Sequence, residues 1–430
     1  MAGLAASAGG TTVLAALAPA WGGTRSDAAP VLAGASAASP TRTARRWRHG
    51  LVAAQAAIAT TLLISASLLL TSFRELGRVP LGFDGDRVLT LEMPLLYAKY
   101  TLPGAKARFQ GELLERMRAI PGIVDIGLAS AVPFRGRDGL VQIGRPGVER
   151  MDLVRERRVD PGYFRVLHVG AIRGRLLSET DRDVTTPVTV ISESYARLAF
   201  GADDPIGQSV GTSPAREVVG VVADLRYASL EQDPTPSIYV PEAQAQQASM
   251  IFSIVARTGA NAGVASLVPA IRRAIREIDP ALPAVNFTTV GQLVDASVAN
   301  RRFYTVATTA FATIALLLTA VGLVVVIARV VGERRRELAI RAALGATMRS
   351  LAIVATRDAL GAVGVGVAAG LVGAYAGAAV LAQFLFHVAP RSPATYSSVA
   401  VLVVGVAALA AWGPVRRFDR IALATLLKPE

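Results

Sequence analysis

Apolar and polar positions along this 430-residue chain follow two patterns. The coarse one is a set of long apolar runs bounded by arginines. Gly50–Phe73 runs 24 residues without a charge, after Arg45, Arg46 and Arg48. Phe303–Ala328 runs 26, between Arg302 and Arg329. Ala359–Pro390 is longer still, with a helix that starts near Leu351, and Thr395–Val415 ends at Arg416 and Arg417. About 20 apolar residues suffice for a helix to cross a bilayer core. Spans are therefore expected at 50–73, 303–328, 351–386 and 396–415.

The finer pattern fills residues 74–302. Val88–Met93 alternates like a strand, and Pro103–Ile120 has helical spacing with Phe109, Leu113 and Met117 on one face. Pro121-Gly122 ends that helix, and Val124–Val132 reads as a strand. The order recurs later as strand Ile251–Ala256, helix Ala262–Ile278 and strand Ala284–Thr289. Two strand–helix–strand units thus bracket the region and predict one α+β subdomain built from both ends. Leu153–Val159, Pro187–Ile191, Glu217–Ala223 and Ser237–Val240 predict an inserted, β-rich subdomain.

Met1–Gly23 is a fifth span candidate. It has no Lys or Arg before Arg25, so it lacks the basic start of a secretory signal. Its Leu14–Asp27 stretch is similar to Val406–Asp419 near the other end: apolar helix, Trp-Gly, Arg, Asp, then an apolar stub. On this reading residues 1–23 are a remnant span of an earlier repeat. The chain would then be the second half of a duplicated protein, or a product with a misplaced start.

Composition agrees with a membrane protein, at 52% hydrophobic, 18% charged and a mean hydropathy of +0.44. The net charge of +13 would suggest nucleic acid if it formed one basic face. It does not. Residues 74–302 hold 28 bases and 26 acids, and the excess sits at 24–49, 329–350 and 416–430, beside the apolar runs. That is the positive-inside pattern. It puts the linker 24–49, the loop 329–350 and the tail 416–430 inside, with 74–302 and 387–395 outside. No nucleic-acid partner is expected.

Candidate chemistry is sparse. There is no cysteine, and the three histidines, His49, His168 and His387, are far apart. Glu179, Asp181 and Asp183 beside Arg182 read as a surface turn, and His168 as a packed core histidine. Ser192 and Ser194 lack the G-x-S-x-G elbow. No G-x-x-x-x-G-K-[ST] occurs, so the chain carries no nucleotide-hydrolysis loop. No cofactor or metal is expected. The third run is rich in glycine, and Gly366–Gly370 and Gly373–Gly377 each form GxxxG, a face on which helices pack closely.

The inner loop is the most informative segment. Glu333 to Leu344 has helix-forming composition, with Ile340, Ala343 and Leu344 on one face, and Gly345 suits a left-handed stop. The sequence Glu333-Arg-Arg-Arg-Glu-Leu-Ala-Ile-Arg-Ala-Ala-Leu-Gly-Ala346 resembles the signature of the FtsX-like, MacB-like ABC permeases of the mechanotransmission type. The layout of one span, a large outer domain and three spans agrees. So do Arg118-Ala-Ile-Pro-Gly122, Asp160-Pro-Gly-Tyr-Phe164, Arg173-Gly-Arg175, Asp204-Pro-Ile-Gly207, Val218-Val-Gly-Val-Val222 and Ile238-Tyr-Val-Pro241, in that order. The likeness covers roughly residues 45–430 and is similar to the second half of a tandem-duplicated permease.

The resemblance implies an α-helical membrane protein with an α+β MacB-like periplasmic core domain at 74–302. It implies the bacterial inner membrane as its place. It also implies a non-catalytic permease whose inner loop docks on a separate ABC ATPase through Glu333, Arg334, Glu337, Ile340, Arg341, Leu344 and Gly345. Gly366, Gly370, Gly373 and Gly377 would pack helices. Further implied partners are a second permease half or a homodimer copy, the lipid bilayer and a periplasmic adaptor. The segment Val290–Arg302 could continue the second span as one rod and carry motion outward. The competing reading is a membrane-anchored envelope scaffold or sensor with no ATPase; a membrane enzyme is disfavoured by the missing catalytic constellation.

Overall fold

The computed structural model describes residues 42–426 apart from 103, 136–138, 147–148, 150, 183–184, 212–213, 246–249, 261–262, 284 and 334–347; side chains are described for 46–333 and 356–412 within that range. The expected span at 1–23 lies outside the described residues, as does most of the inner loop.

In chain order the elements are α1 (Arg42–Leu76), β1 (Val88–Pro94), α2 (Tyr97–Tyr100), α3 (Ala105–Arg118), β2 (Ile123–Ala129), β3 (Leu140–Gly144), β4 (Met151–Val159), α4 (Pro161–Val166), β5 (Ala171–Gly174) and β6 (Val188–Ser192). Then come α5 (Glu193–Phe200), β7 (Ser209–Val210), β8 (Arg216–Val222), β9 (Ser237–Pro241), β10 (Ile251–Thr258), α6 (Val264–Ile278), β11 (Val285–Thr289), α7 (Val290–Glu333), α8 (Met348–Ala382) and α9 (Pro393–Leu426). Among the described residues four helices are long and apolar enough to cross a membrane: Arg46–Leu76, Val290–Glu333, Thr356–Ala382 and Pro393–Trp412. Each contains or overlaps one of the runs read from the sequence.

α7 starts where β11 stops, with no loop between them. Its first turn is closed by a reciprocal cap. The Gln292 N–H donates to Thr289 Oγ1 at 3.1 Å, and the Thr289 N–H donates to Gln292 Oε1 at 3.0 Å. Two orphan backbone donors are satisfied, and the chain turns from strand to helix within one residue. With no proline inside, the helix runs unbroken for 44 residues, about 66 Å at 1.5 Å per residue.

Among the described residues the strands form one eleven-stranded sheet in the order β11-β1-β10-β2-β4-β9-β6-β8-β5, with β3 on β4 and β7 on β8. Its first part, β11-β1-β10-β2, is wholly antiparallel. It joins the two strand–helix–strand units that the sequence placed at the ends of the region. α3 and α6 cover one face, where Leu89, Leu91, Met93, Phe109, Leu113, Phe252, Ile254 and Ile271 are buried together. The second part is mixed, with β4–β9 and β6–β8 parallel and β6–β9 and β5–β8 antiparallel. The two parts share a single register pair, Ala129 with Val159.

Asp160-Pro-Gly-Tyr-Phe164 shows why a short helix can sit at this junction. Asp160 caps α4: its Oδ1 accepts from the Tyr163 N–H at 3.0 Å and from the Leu128 N–H of β2 at 2.8 Å. Pro161 takes the first helical position, where no amide donor is needed. Burial pushes the Asp160 carboxyl up to about 6, against the lowering effect of the two amide bonds. Gly162 lets α4 lie directly on β2. A Cβ there would sit 2.1 Å from the Ile126 carbonyl oxygen, and one on Gly127 would sit 2.3 Å from the Tyr163 nitrogen. Tyr163 and Phe164 then enter the core completely, ring edge to ring face.

This contact yields a prediction. Gly162→Ala should destabilise the full chain in detergent by about 1–3 kcal/mol, because backbone rather than a flexible side chain must give way. Gly170→Ala, where a Cβ meets nothing within 4 Å, should leave thermal unfolding unchanged. Equal melting of the two variants would refute the close-approach account.

Candidate functional site

Of the residues expected to contact an ATPase, Glu333 is described, and it ends α7. Its Oε1 accepts from Arg48 Nη1 of α1 at 3.4 Å and from Arg329 Nε, one turn back, at 3.0 Å. Arg48 lies in the basic segment before the first run, so two basic segments meet here through one carboxylate. The groups are partly exposed, and such a pair contributes at most about 1 kcal/mol. Its effect is positional: it ties the end of α7, where the inner loop departs, to the start of α1. Arg334, Glu337, Ile340, Arg341, Leu344 and Gly345 lie outside the described residues.

The four GxxxG glycines of α8 differ in what they meet. A Cβ on Gly366 would sit 2.3 Å from the Ala53 carbonyl oxygen and 2.7 Å from the Ala56 Cβ of α1. One on Gly370 would sit 2.6 Å from the Ala57 carbonyl oxygen and 2.7 Å from the Thr60 Cβ. At Gly373 the nearest atom is Thr61 Oγ1 at 3.4 Å, and at Gly377 nothing lies within 4 Å. Gly366 and Gly370 thus allow α8 to touch the backbone of α1. Gly322 of α7, which sequence reading passed over, stands against the side chain of Gln55, with a would-be Cβ 2.7 Å from its Oε1. The matching signal was present on α1, where Ala53, Ala56, Ala57 and Thr60 make a face of small residues. Thr60 returns its hydroxyl to the Ala56 carbonyl at 2.7 Å, so its polar atom needs no outside partner.

In the outer domain the motif residues serve the fold. Gly174 is left-handed at φ +67 and crosses closely over β8, where a Cβ would lie 2.2 Å from the Val219 carbonyl oxygen. Arg175 then reaches Asp181 with two hydrogen bonds of 2.8 Å. Asp181 was expected in a surface turn. It is instead buried, because its carboxylate also accepts from the Ser178 N–H at 2.8 Å and closes the turn inward. Burial opposes ionisation of Asp181, but the Arg175 and Ser178 bonds win and hold its carboxyl below the ordinary range. Asp183 lies outside the described residues.

His168 is also corrected. It is exposed, not packed in the core, because the left-handed backbone at φ +51 turns it outward. Its Nδ1 stands 3.1 Å from Asp84 Oδ2, and the same oxygen accepts from buried Arg257 at 3.0 Å. Ser192 caps α5 and accepts from the Ser237 N–H at 2.9 Å, a structural role. Among the described residues no three of His, Cys, Asp and Glu gather closely enough to hold a metal ion.

Two family models match the chain. The MacB-like periplasmic core domain covers residues 51–277, and the FtsX-like permease C-terminal region covers 309–422. The pyoverdine export ATP-binding/permease protein PvdT of Pseudomonas putida is 29% identical over 192 residues, which are 42% of this chain and 29% of that protein. The macrolide export ATP-binding/permease protein MacB of Bdellovibrio bacteriovorus is 24% identical over 203 residues, 45% of this chain and 31% of that protein. The matched stretches thus span under a third of either relative. Among solved structures, the periplasmic region of MacB from Actinobacillus actinomycetemcomitans aligns with a TM-score of 0.35 at 16% identity, over 48% of this chain and 90% of that one. The extracellular domain of the transporter YknZ from Gram-positive bacteria aligns with a TM-score of 0.32 at 15% identity, over 46% of this chain and all of that one.

Two predictions arise from this geometry. Gly366→Leu with Gly370→Leu should prevent the α1–α8 contact, lowering thermal stability and raising cross-linking to unrelated neighbours, whereas Gly377→Leu should behave as wild type. For Asp181, the lowered carboxyl means stability that is present above the unfolded value of 3.8 and lost as pH falls through the folded one. Asp181→Asn should therefore melt lower than wild type at pH 7, and the gap should shrink below about pH 4. A gap independent of pH would rule out the ion pair as its source.

Proposed function

Because the chain belongs to the family of ABC-type permeases that carry a MacB-like periplasmic core domain and an FtsX-like C-terminal region, we propose that it is the non-catalytic membrane subunit of an ATP-driven export or envelope-remodelling system. A separate ABC ATPase supplies the hydrolysis. The inner loop after Glu333 is the coupling contact, with Arg334, Glu337, Ile340, Arg341, Leu344 and Gly345 meeting the ATPase. Motion of the loop passes along α7 into β11 and the sheet. The protein lies in the inner membrane, its large domain faces the periplasm, and a second permease half or a homodimer copy completes the assembly. A periplasmic adaptor joins the outer domain.

The observation that carries this reading is the continuity of α7. One helix runs from Val290, directly after the last strand residue Thr289, to Glu333, where the proposed coupling loop begins, without a loop to absorb motion. The Arg48–Glu333 and Arg329–Glu333 bonds support it by fixing the inner end of that helix.

The test is co-purification with a candidate ATPase, comparing wild type with the double variant Arg341→Glu, Leu344→Asp. Wild type should bind and alter ATP hydrolysis at least roughly tenfold more than the variant, since buried interface contacts of this kind carry a few kcal/mol. The variant should insert normally. A wild type that binds no ATPase would favour an envelope scaffold or sensor instead.

A further inference from the structure

The loop between β8 and β9 is braced from its base to its tip. At the base, buried Tyr227 stacks on the guanidinium of buried Arg157 of β4, with the charge 3.4 Å from the ring centre. Its hydroxyl meets that of Tyr163 of α4, and its carbonyl accepts from the Phe134 N–H at 2.6 Å. Arg226 donates to the carbonyls of Leu230, at 3.1 Å, and of Gln232. Those two carbonyls flank Glu231. The Gln232 N–H closes the tip by donating to Ser229 Oγ at 3.2 Å. Glu231 is thus presented at the end of a strut rather than on a slack loop.

The strut ends on α7. Arg301 Nε donates to Glu231 Oε1, and the other arm of the same guanidinium donates from Nη1 to the Phe384 carbonyl at 2.6 Å. Phe384 lies just beyond the end of α8, and its ring meets Tyr304 of α7 edge to face at 6.2 Å. The next turn is tied to α1, since the Phe386 N–H donates to Ser72 Oγ at 2.8 Å. One planar guanidinium therefore spans two acceptors on different segments, a geometry that a lysine ammonium reproduces poorly.

We propose that Arg301 is a positioning residue that couples α7 to the second part of the sheet. It does so through the strut Tyr227–Pro236, while holding the outer turn after α8 in register. This rests on the reading that α7 carries motion, and it adds a second exit for that motion besides β11. A displacement of α7 along its axis draws on Glu231, and the strut delivers it to Tyr227 and Arg157 between α4 and β4. The two parts of the sheet share a single register pair, Ala129–Val159, and a buried core that also takes in Val290 at the start of α7. The strut adds a route further along α7 by which the second part follows it.

Hydrogen exchange on the full chain in detergent, without nucleotide, tests the contact itself. In Arg301→Ala the amides of residues 226–233 and 235 should exchange roughly three- to tenfold faster than in wild type, the range a charge-assisted contact supports. The exchanged pair Arg301→Glu with Glu231→Arg should return them to within roughly twofold of wild type. It restores the ion pair while giving up the bond to Phe384. Unchanged exchange in Arg301→Ala overturns the proposal.

Spin-label distances then separate the proposal from the reading beneath it, since the chain has no cysteine of its own. Labels at Ser297→Cys and Arg273→Cys follow α7, and labels at Asp233→Cys and Arg273→Cys follow the strut. With the ATPase bound, nucleotide should move both pairs in wild type, but only the α7 pair in Arg301→Ala. Equal strut movement in both proteins overturns the proposal. If the α7 pair is still in wild type, the transmission reading fails, and with it this second exit, whatever the exchange data show of the contact.

Discussion

A peptide group inside a bilayer finds no water to bond to, so its partner must come from the protein itself. The rest of this structure depends on that constraint. It makes each long apolar run a helix, and it drives arginines to the run ends. It also means that a polar atom within a span must find its partner inside the protein. Thr60 does so by bonding its own helix, as do Ser65, Thr309 and Thr319. What remains available to hold helices together is contact. The glycines of α8 and the alanines of α1 provide it where backbones touch.

The outer domain solves a different problem with the same device. Its sheet must pass from an antiparallel part to a mixed part. The short helix α4 covers the passage, held by the Asp160 cap and pressed onto β2 through Gly162 and Gly127. Arg157 and Tyr227 fill the space beyond with a buried charge set over an aromatic face. A buried arginine with aromatic and hydroxyl neighbours is costly to move, which suits a position at the root of a strut.

Much of this was legible in the sequence because its signals are periodic and local. The four runs, the strand–helix–strand pairs and the basic segments all follow from spacing and composition. The departures have physical reasons. His168 looks like a core residue from its apolar neighbours, but a left-handed backbone turns it out beside Asp84. Asp181 looks like a surface acid, but Arg175 six residues away pulls it in. The glycine stripe predicts close packing evenly along α8, yet only its Gly366 and Gly370 end meets α1 closely. A repeat of small residues states what a helix can allow and not how far its neighbour accompanies it. The contact from Arg301 to Glu231 left no trace in the spacing, because it joins residues 70 apart through a loop whose shape is tertiary.

The pairing of strands also sets an order of events. β1 and β2 find their ladders on β10, and β1 completes its own with β11. Val88 and its partner Arg257 are about 170 residues apart in the chain, a separation that makes pairing slow. Everything needed for β4, β6, β8 and β9 to pair with one another emerges before β10 does. During synthesis the interior of the domain can therefore assemble while its opening strands wait as unpaired edges. The part of the domain that is translated first is the part that is finished last.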